Sequence, residues 1–165
     1  MENKTMKLTP NGFIKILSMI HLALLIGLIV FLIIAYTQNK EWQLNLNDTG
    51  DIFFFIVPIL AIGGILAGNF LYDKQINALS TKNSLRQKLA GFQTASIMKY
   101  ALVEGPALLA IVSSMNSGNL FYVIIAVALV VYFYFQKPTK EKIESHLKLN
   151  SELKMQFNNA DQAID

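Results

Sequence analysis

Four long apolar stretches alternate with shorter polar stretches along the chain. The apolar stretches cover residues 13–36, 52–71, 93–114 and 120–135. The hydrocarbon core of a bilayer is about 30 Å thick, and an α-helix crosses it with about 20 apolar residues. A helix also satisfies its own backbone hydrogen bonds, which lipid cannot do. The pattern therefore predicts an all-α, polytopic membrane protein with four transmembrane helices.

The polar stretches fall into two groups by charge. The chain has 14 Lys and Arg residues, and of these Lys40 alone lies between the first two apolar stretches. Cytoplasmic loops carry the excess of Lys and Arg, so we expect both termini to be cytoplasmic. The polar segments are then a cytoplasmic N-terminus (1–12), an outer loop (37–51), a basic cytoplasmic hairpin tip (72–92), an outer turn (115–119) and a cytoplasmic tail (136–165).

A helix-start signal lies inside the predicted hairpin tip. Ser84 is followed three residues later by Gln87, which is a capping-box pattern. The third helix should therefore begin near Leu85, well before it enters the membrane. The second and third helices would then form a hairpin that protrudes into the cytoplasm.

The tail has the pattern of a single amphipathic helix. Its stripe consists of Ile143, His146, Leu147, Leu153 and Phe157, whose spacing indicates one helical face. Glu144 and Lys148 are placed as an i, i+4 ion pair on that helix. We expect the stripe to dock on the hairpin tip or on the membrane, and binding to a partner remains an alternative.

Composition limits the classes of function. Of the 165 residues, 53% are hydrophobic and 15% are charged, with a mean hydropathy of +0.42, which leaves no room for a separate soluble domain. The chain has no cysteine, so disulfides and thiolate metal sites are excluded. We see no His cluster with metal-ligand spacing and no phosphate-cradling Gly loop. We therefore expect neither an enzyme nor a metal or cofactor site, and scattered basic residues give no support for nucleic-acid binding.

One carboxylate interrupts the third apolar stretch. Glu104 would lie roughly 16 Å from the start of that span, and His21 would lie roughly 12 Å from the start of the first span. An ionisable group inside a membrane costs several kcal/mol unless it is partnered, so it is a functional-site candidate. Tyr100 lies one turn before Glu104 on the same helix face. The predicted ion-binding residues are Glu104, His21 and Tyr100; the alternative is that Glu104 is a protonated, hydrogen-bonded residue that fixes helix register.

The second span is rich in small residues. Gly64 and Gly68 form a Gly-x-x-x-Gly pattern, with Gly63 directly before it. Small residues let the backbones of two membrane helices approach closely. We expect Gly63, Gly64 and Gly68 to be helix-packing residues. Pro106, which weakens the third helix just beyond Glu104, is predicted to take part in the same packing.

The Gly-rich second span, the basic tip and the segment around Glu104 together resemble a known family. Residues 58–114 resemble the proteolipid ring subunit (subunit c) of rotary ATP synthases. The resemblance implies that Glu104 is an ion carrier and that the Gly-rich helix packs against neighbours in a ring. The first span, the fourth span and the tail have no counterpart in that two-helix subunit.

Two hypotheses of function follow. The first is an uncharacterised integral membrane protein that binds or translocates a proton or cation at Glu104. The second is a membrane scaffold or accessory subunit that acts through the hairpin tip and the tail helix. Either would be a multi-pass protein of the bacterial inner (cytoplasmic) membrane, in contact with the lipid bilayer, and its partner would be a second copy of the chain or another membrane protein.

Overall fold

The computed structural model describes residues 9–159 and 163–164, and the segments it describes are helical or irregular. A single isolated bridge joins Gln43 to Asn119. The all-α prediction is confirmed for these residues. The helices are α1 (Pro10–Gln38), α2 (Phe53–Ala78), α3 (Leu85–Ser117), α4 (Leu120–Tyr134), α5 (Lys140–Leu147) and α6 (Ser151–Asn158), and a 3₁₀ turn (Leu79–Thr81) follows α2.

Three of these helices are long and apolar enough to cross a membrane. They are α1, α2 with its 3₁₀ turn, and α3. The helix α4 is also apolar but has only 15 residues. The first eight residues of the predicted N-terminal segment 1–12 lie outside the described residues.

The helix α3 is the centre of the bundle. It makes the most extensive contacts with α2, and it also packs on α4 and α1. Its buried side includes Val103, Ala107 and Ala110, while large apolar side chains on the outward sides of α1, α2, α3 and α4 are exposed. Exposed apolar surface of this extent is typical of contact with lipid or with another membrane protein.

The helix that follows the hairpin tip starts where it was expected to start. Ser84 is the N-cap residue of α3, with extended backbone, and the helix begins at Leu85. The helix α2 continues to Ala78, beyond the expected end of its span at residue 71. The hairpin tip is therefore built from helical segments that extend past the apolar region.

The tail differs from the single helix that the apolar stripe predicts. Lys148 adopts a left-handed backbone with φ 46°, and this ends α5. The side chain of Asn150 then caps the start of α6 by accepting from the Leu153 backbone N–H. Glu144 consequently pairs with Lys154 at 3.2 Å and not with Lys148.

The apolar stripe of the tail nevertheless packs on the protein. Four of its members are buried, namely Ile143, Leu147, Leu153 and Phe157, whereas His146 keeps part of its surface exposed. The helix α5 contacts α2 and α3, and α6 contacts α3. The tail therefore packs on α2 and α3 as two short helices.

Side chains tie the helix ends together at the opposite end of the bundle. The Asp51 carboxylate accepts from the Phe53 backbone N–H at the start of α2 and from the Tyr122 hydroxyl of α4 at 2.6 Å. Gly118, with φ 64°, makes the tight turn between α3 and α4. The outer loop and the outer turn thus hold α2, α3 and α4 in fixed relative positions.

Candidate functional site

Glu104 lies at the edge of an exposed face of α3. We call this the lateral face; it consists of Ile97, Ala101, Gly105, Leu108 and Val112, all exposed. Glu104 is partly exposed, and its neighbours Val103 and Ala107 are buried in the bundle. Within the described part of the chain, the Glu104 side chain forms no hydrogen bond or ion pair. The carboxyl group is therefore free to bind a group from outside the described chain at the side of the bundle.

His21 does not supply the partner that its depth in the first span suggests. Its side chain is only 2% exposed, and Nε2 donates a 2.9 Å hydrogen bond to the carbonyl oxygen of Phe133. The imidazole also stacks on the Phe133 ring, with centroids 4.9 Å apart and planes 4° apart. The expected pair of His21 and Glu104 is replaced by a contact between α1 and the end of α4.

Tyr100 also turns toward α4 and not toward Glu104. Its hydroxyl donates to the carbonyl oxygen of Gln136 at 3.3 Å, and its ring meets the edge of His21 at a centroid distance of 5.2 Å. The structure thus brings together two of the three predicted ion-binding residues, His21 and Tyr100. Glu104 takes part in neither the hydrogen bond of His21 nor that of Tyr100.

The end of α4 explains these contacts. The last four carbonyl groups of a helix have no intrahelical donor. Side chains from three other helices donate to one of these groups, that of Phe133, and to the carbonyl groups of residues 135–138, which directly follow α4. Ser18 donates to Pro138, and the Lys142 ammonium donates to Phe135 at 2.7 Å and to Lys137 at 3.1 Å. We call Ser18, His21, Tyr100 and Lys142 the α4 cap. One sequence feature could have indicated the α4 cap. The fourth apolar stretch is short and is followed by Lys137 and Pro138, so the helix stops there and its last carbonyl groups need donors from other segments.

The predicted packing glycines divide between two faces of α2. A Cβ atom on Gly64 would lie 3.0 Å from the Pro106 Cγ and closer still to the Leu102 carbonyl oxygen. A Cβ on Gly68 would lie 3.6 Å from the side chains of Leu102 and Lys99. Gly63, expected on the same packing face, is exposed with open space around it. Gly64, Gly68 and Pro106 therefore form the close contact between α2 and α3.

A polar cluster joins the tail to the end of the bundle that carries the hairpin tip. The Tyr72 hydroxyl and Nδ1 of His146 share a 2.6 Å hydrogen bond. The Lys99 ammonium lies 4.9 Å from the centroid of the Tyr72 ring, a cation–π geometry. These residues line a small cavity of about 70 Å³ together with Lys142. Apart from the position of His146 in the tail stripe, no sequence pattern predicted this cluster.

The environment of His146 favours its neutral form. Burial makes the largest contribution in lowering the pKa of His146 from its ordinary value of 6.5, and the Lys99 and Lys142 cations add to it. The Asp73 carboxylate acts in the opposite direction. The docked tail therefore holds an imidazole that resists protonation.

The chain was compared with protein-family models, with curated proteins and with solved structures, and nothing matched in any of the three comparisons. The resemblance to the proteolipid ring subunit therefore stays a prediction. Function has to be argued from the geometry of Glu104 and its surroundings.

Proposed function

We propose that the chain is a four-span protein of the bacterial inner membrane with both ends in the cytoplasm, α4 being the fourth span. The 15 residues of α4 cover roughly 22 Å, less than the hydrocarbon thickness. A helix can end below the membrane surface when protein groups satisfy its backbone. The α4 cap supplies such groups, and the Lys and Arg distribution supports the orientation.

Within that architecture, we propose that the protein is a membrane scaffold or accessory subunit. It binds another membrane-spanning chain along the lateral face of α3, and this contact includes Glu104. The observation that supports the proposal is the carboxyl group of Glu104, which is partly exposed and makes no hydrogen bond or ion pair within the described chain.

The cost of that arrangement in lipid favours a partner. A charged side chain at the centre of a bilayer costs about 3 kcal/mol or more. A hydrogen bond to a polar group on a second helix would offset part of that cost. Such a bond would satisfy either the ionised carboxylate or the neutral acid.

The shape of the lateral face suits a helix contact. Ala101 and Gly105 are four residues apart and both exposed, and a Cβ on Gly105 would meet no atom within 4 Å. Small residues at this spacing let a second helix approach closely. A neighbouring helix seated there would lie within reach of the Glu104 carboxyl group.

Proton or cation binding at Glu104 is the second candidate function. It is supported by the same exposure, since a carboxyl group that is not engaged within its own chain can exchange a proton or bind an ion. His21 and Tyr100 are engaged in the α4 cap. The remaining ligands for an ion would therefore come from water that reaches the lateral face or from a second chain.

Two substitutions at Glu104 separate the candidates. The tagged chain is purified from its native membrane in mild detergent, and associated proteins or copies are quantified. Glu104→Gln keeps hydrogen-bonding groups but not the titratable proton, whereas Glu104→Leu removes both. The scaffold proposal expects association to persist in Glu104→Gln and to fall in Glu104→Leu. Equal association of the wild type and Glu104→Leu would contradict it.

Ion flux provides the complementary measurement. In liposomes, the ion-binding candidate expects pH-linked flux or uptake that disappears in Glu104→Gln while the protein remains folded. Flux that is unchanged by Glu104→Gln would exclude this second candidate and leave the scaffold proposal intact.

A further inference from the structure

A second candidate site lies where the tail meets the hairpin tip. A groove with a volume of about 470 Å³ runs between residues 80–88 and the part of the tail from the end of α5 into α6. Its walls include Lys82 and Lys88 from the hairpin and Lys148 from the tail, with Glu152 as the acidic side chain among the lining residues. The lining therefore carries an excess of positive charge.

Lys88 is an unusual member of this lining because it is buried. Its side chain is 4% exposed, and Nζ donates a 2.8 Å hydrogen bond to the Leu79 carbonyl oxygen. An ammonium group has three protons to donate, and buried charges are normally paired with an opposite charge. In the part of the chain that the structure describes, no carboxylate forms an ion pair with Lys88.

The start of α3 adds to the positive potential. Leu85, the first residue of this 33-residue helix, lines the groove beside Ser84. The N-terminal end of a helix carries a partial positive charge. Two exposed lysines, one buried lysine and a helix start therefore line one volume, and this excess of positive charge favours an anionic ligand.

The position of the groove argues for a soluble anion over a lipid headgroup of the same membrane. Ser80 lies ten residues beyond Phe70, the last large exposed apolar residue of α2, or roughly 15 Å further along the chain. The headgroup layer is only about 5 to 8 Å thick on each side. With the edge of the hydrocarbon core at Phe70, the groove lies beyond the headgroups of the proposed membrane.

We propose that this groove binds a soluble, phosphate-bearing small molecule. Lys88 provides the buried charge, and Lys82 and Lys148 contact the phosphate groups from the hairpin and from the tail. The volume of about 470 Å³ lies within the usual range of small-molecule sites, about 300 to 1,000 Å³. Because the walls belong to two segments, a bound anion also holds the tail against the hairpin tip. This proposal is independent of the role of Glu104.

The test uses inorganic pyrophosphate as the probe. The full chain in phosphatidylcholine nanodiscs is titrated with pyrophosphate by calorimetry at constant ionic strength. We expect saturable binding to one site. Losing one charge-assisted hydrogen bond weakens binding by about tenfold or more, so Lys82→Gln and Lys148→Gln should each have that effect. These two side chains are exposed, which makes the variants safe for folding.

Two further variants complete the design. Lys88→Met keeps the length of the side chain, removes its charge and should abolish binding. Lys74→Gln removes an exposed lysine that does not line the groove, and it should bind pyrophosphate as the wild type does. Failure of pyrophosphate to bind, or equal weakening in Lys74→Gln and Lys82→Gln, would overturn the proposal.

A second arm distinguishes the source of the phosphate. The protein in detergent is titrated with phosphatidylglycerol and, separately, with pyrophosphate. Competition of pyrophosphate with the lipid at the wild-type groove, but not in the Lys82→Gln and Lys148→Gln variants, supports the assignment. Binding of phosphatidylglycerol with no binding of pyrophosphate would show a lipid site and contradict it.

Discussion

The imidazole of His21 in α1 donates its hydrogen bond to the carbonyl oxygen of Phe133 in the last turn of α4, at 2.9 Å, and stacks on the ring of the same residue. This relationship gives a polar residue in the first span a structural purpose. The hydrogen bond satisfies a carbonyl group in the last turn of the short helix α4 with a donor from the protein. It also leaves the carboxyl group of Glu104 without the partner that depth along the helices suggests.

Removing the imidazole should destabilise the bundle. His21→Leu loses one hydrogen bond and one aromatic stack, each worth about 1 kcal/mol, so we expect the free energy of unfolding to fall by about 1 to 3 kcal/mol. Thermal or denaturant unfolding in detergent measures it. Leu22→Ala is the matched control, because Leu22 is 53% exposed on the same helix and should have little effect.

A double-mutant cycle tests the separation of His21 from Glu104. Residues without shared partners give additive effects within about 0.5 kcal/mol. We therefore expect the destabilisation by His21→Leu to be the same in the wild type and in Glu104→Gln. A coupling energy clearly above that limit would show that the two side chains interact after all.

The contact between α2 and α3 makes different demands on two adjacent glycines. A methyl group at Gly64 would press on the Leu102 carbonyl and the Pro106 ring, and overpacking typically costs about 1 to 3 kcal/mol. Gly64→Ala should lower the unfolding free energy by that amount. Gly63→Ala, with open space around it, should leave stability unchanged or slightly increased. Equal effects of the two substitutions would disprove this packing.

Docking of the tail should depend on pH through His146. Its pKa is lowered in the folded protein, so the undocked tail binds more protons than the docked tail once the pH falls below 6.5. Docking is therefore fully stabilised above pH 6.5 and weakens as the pH falls from there toward the lowered pKa.

Hydrogen exchange of the α5 amides, compared between pH 7.5 and pH 5.5, measures this effect. His146→Gln serves as the control, because it removes the titration and corrects for the intrinsic pH dependence of exchange. The wild type should lose protection relative to His146→Gln at the lower pH. A constant ratio of protection between the two proteins would contradict the prediction.

The sequence predicted the elements of the fold that depend on local patterns. The apolar run at residues 13–36 lies within α1 (Pro10–Gln38), and the capping-box residue Ser84 directly precedes the start of α3. Both patterns are formed by residues that are close together in the sequence, so they can be recognised without knowing the fold. The break of the tail at Lys148 was missed because the apolar stripe continues across it, although Asn150 followed by Ser151 is a helix-start signal in its own right.

The candidate site depended on contacts that periodicity cannot supply. Gly63 and Gly64 differ by about 100° of rotation around α2, but in a membrane helix the packing face and the lipid face are both apolar. The pattern therefore could not show which glycine meets α3. The depth of His21 was consistent with either Glu104 or the end of α4, and only the arrangement of the helices distinguishes them.

Cross-linking tests most directly the proposal that the lateral face of α3 beside Glu104 binds a second membrane-spanning chain. The chain lacks cysteine, so a single Cys can carry a photoactivatable cross-linker at a chosen place. Cross-linking in native membranes at Ala101→Cys should give a discrete adduct, which mass spectrometry identifies as a second copy or another protein. Leu66→Cys, at a position 64% exposed on α2, should give none. The absence of an adduct at Ala101→Cys, or the same adduct at both positions, would contradict the account.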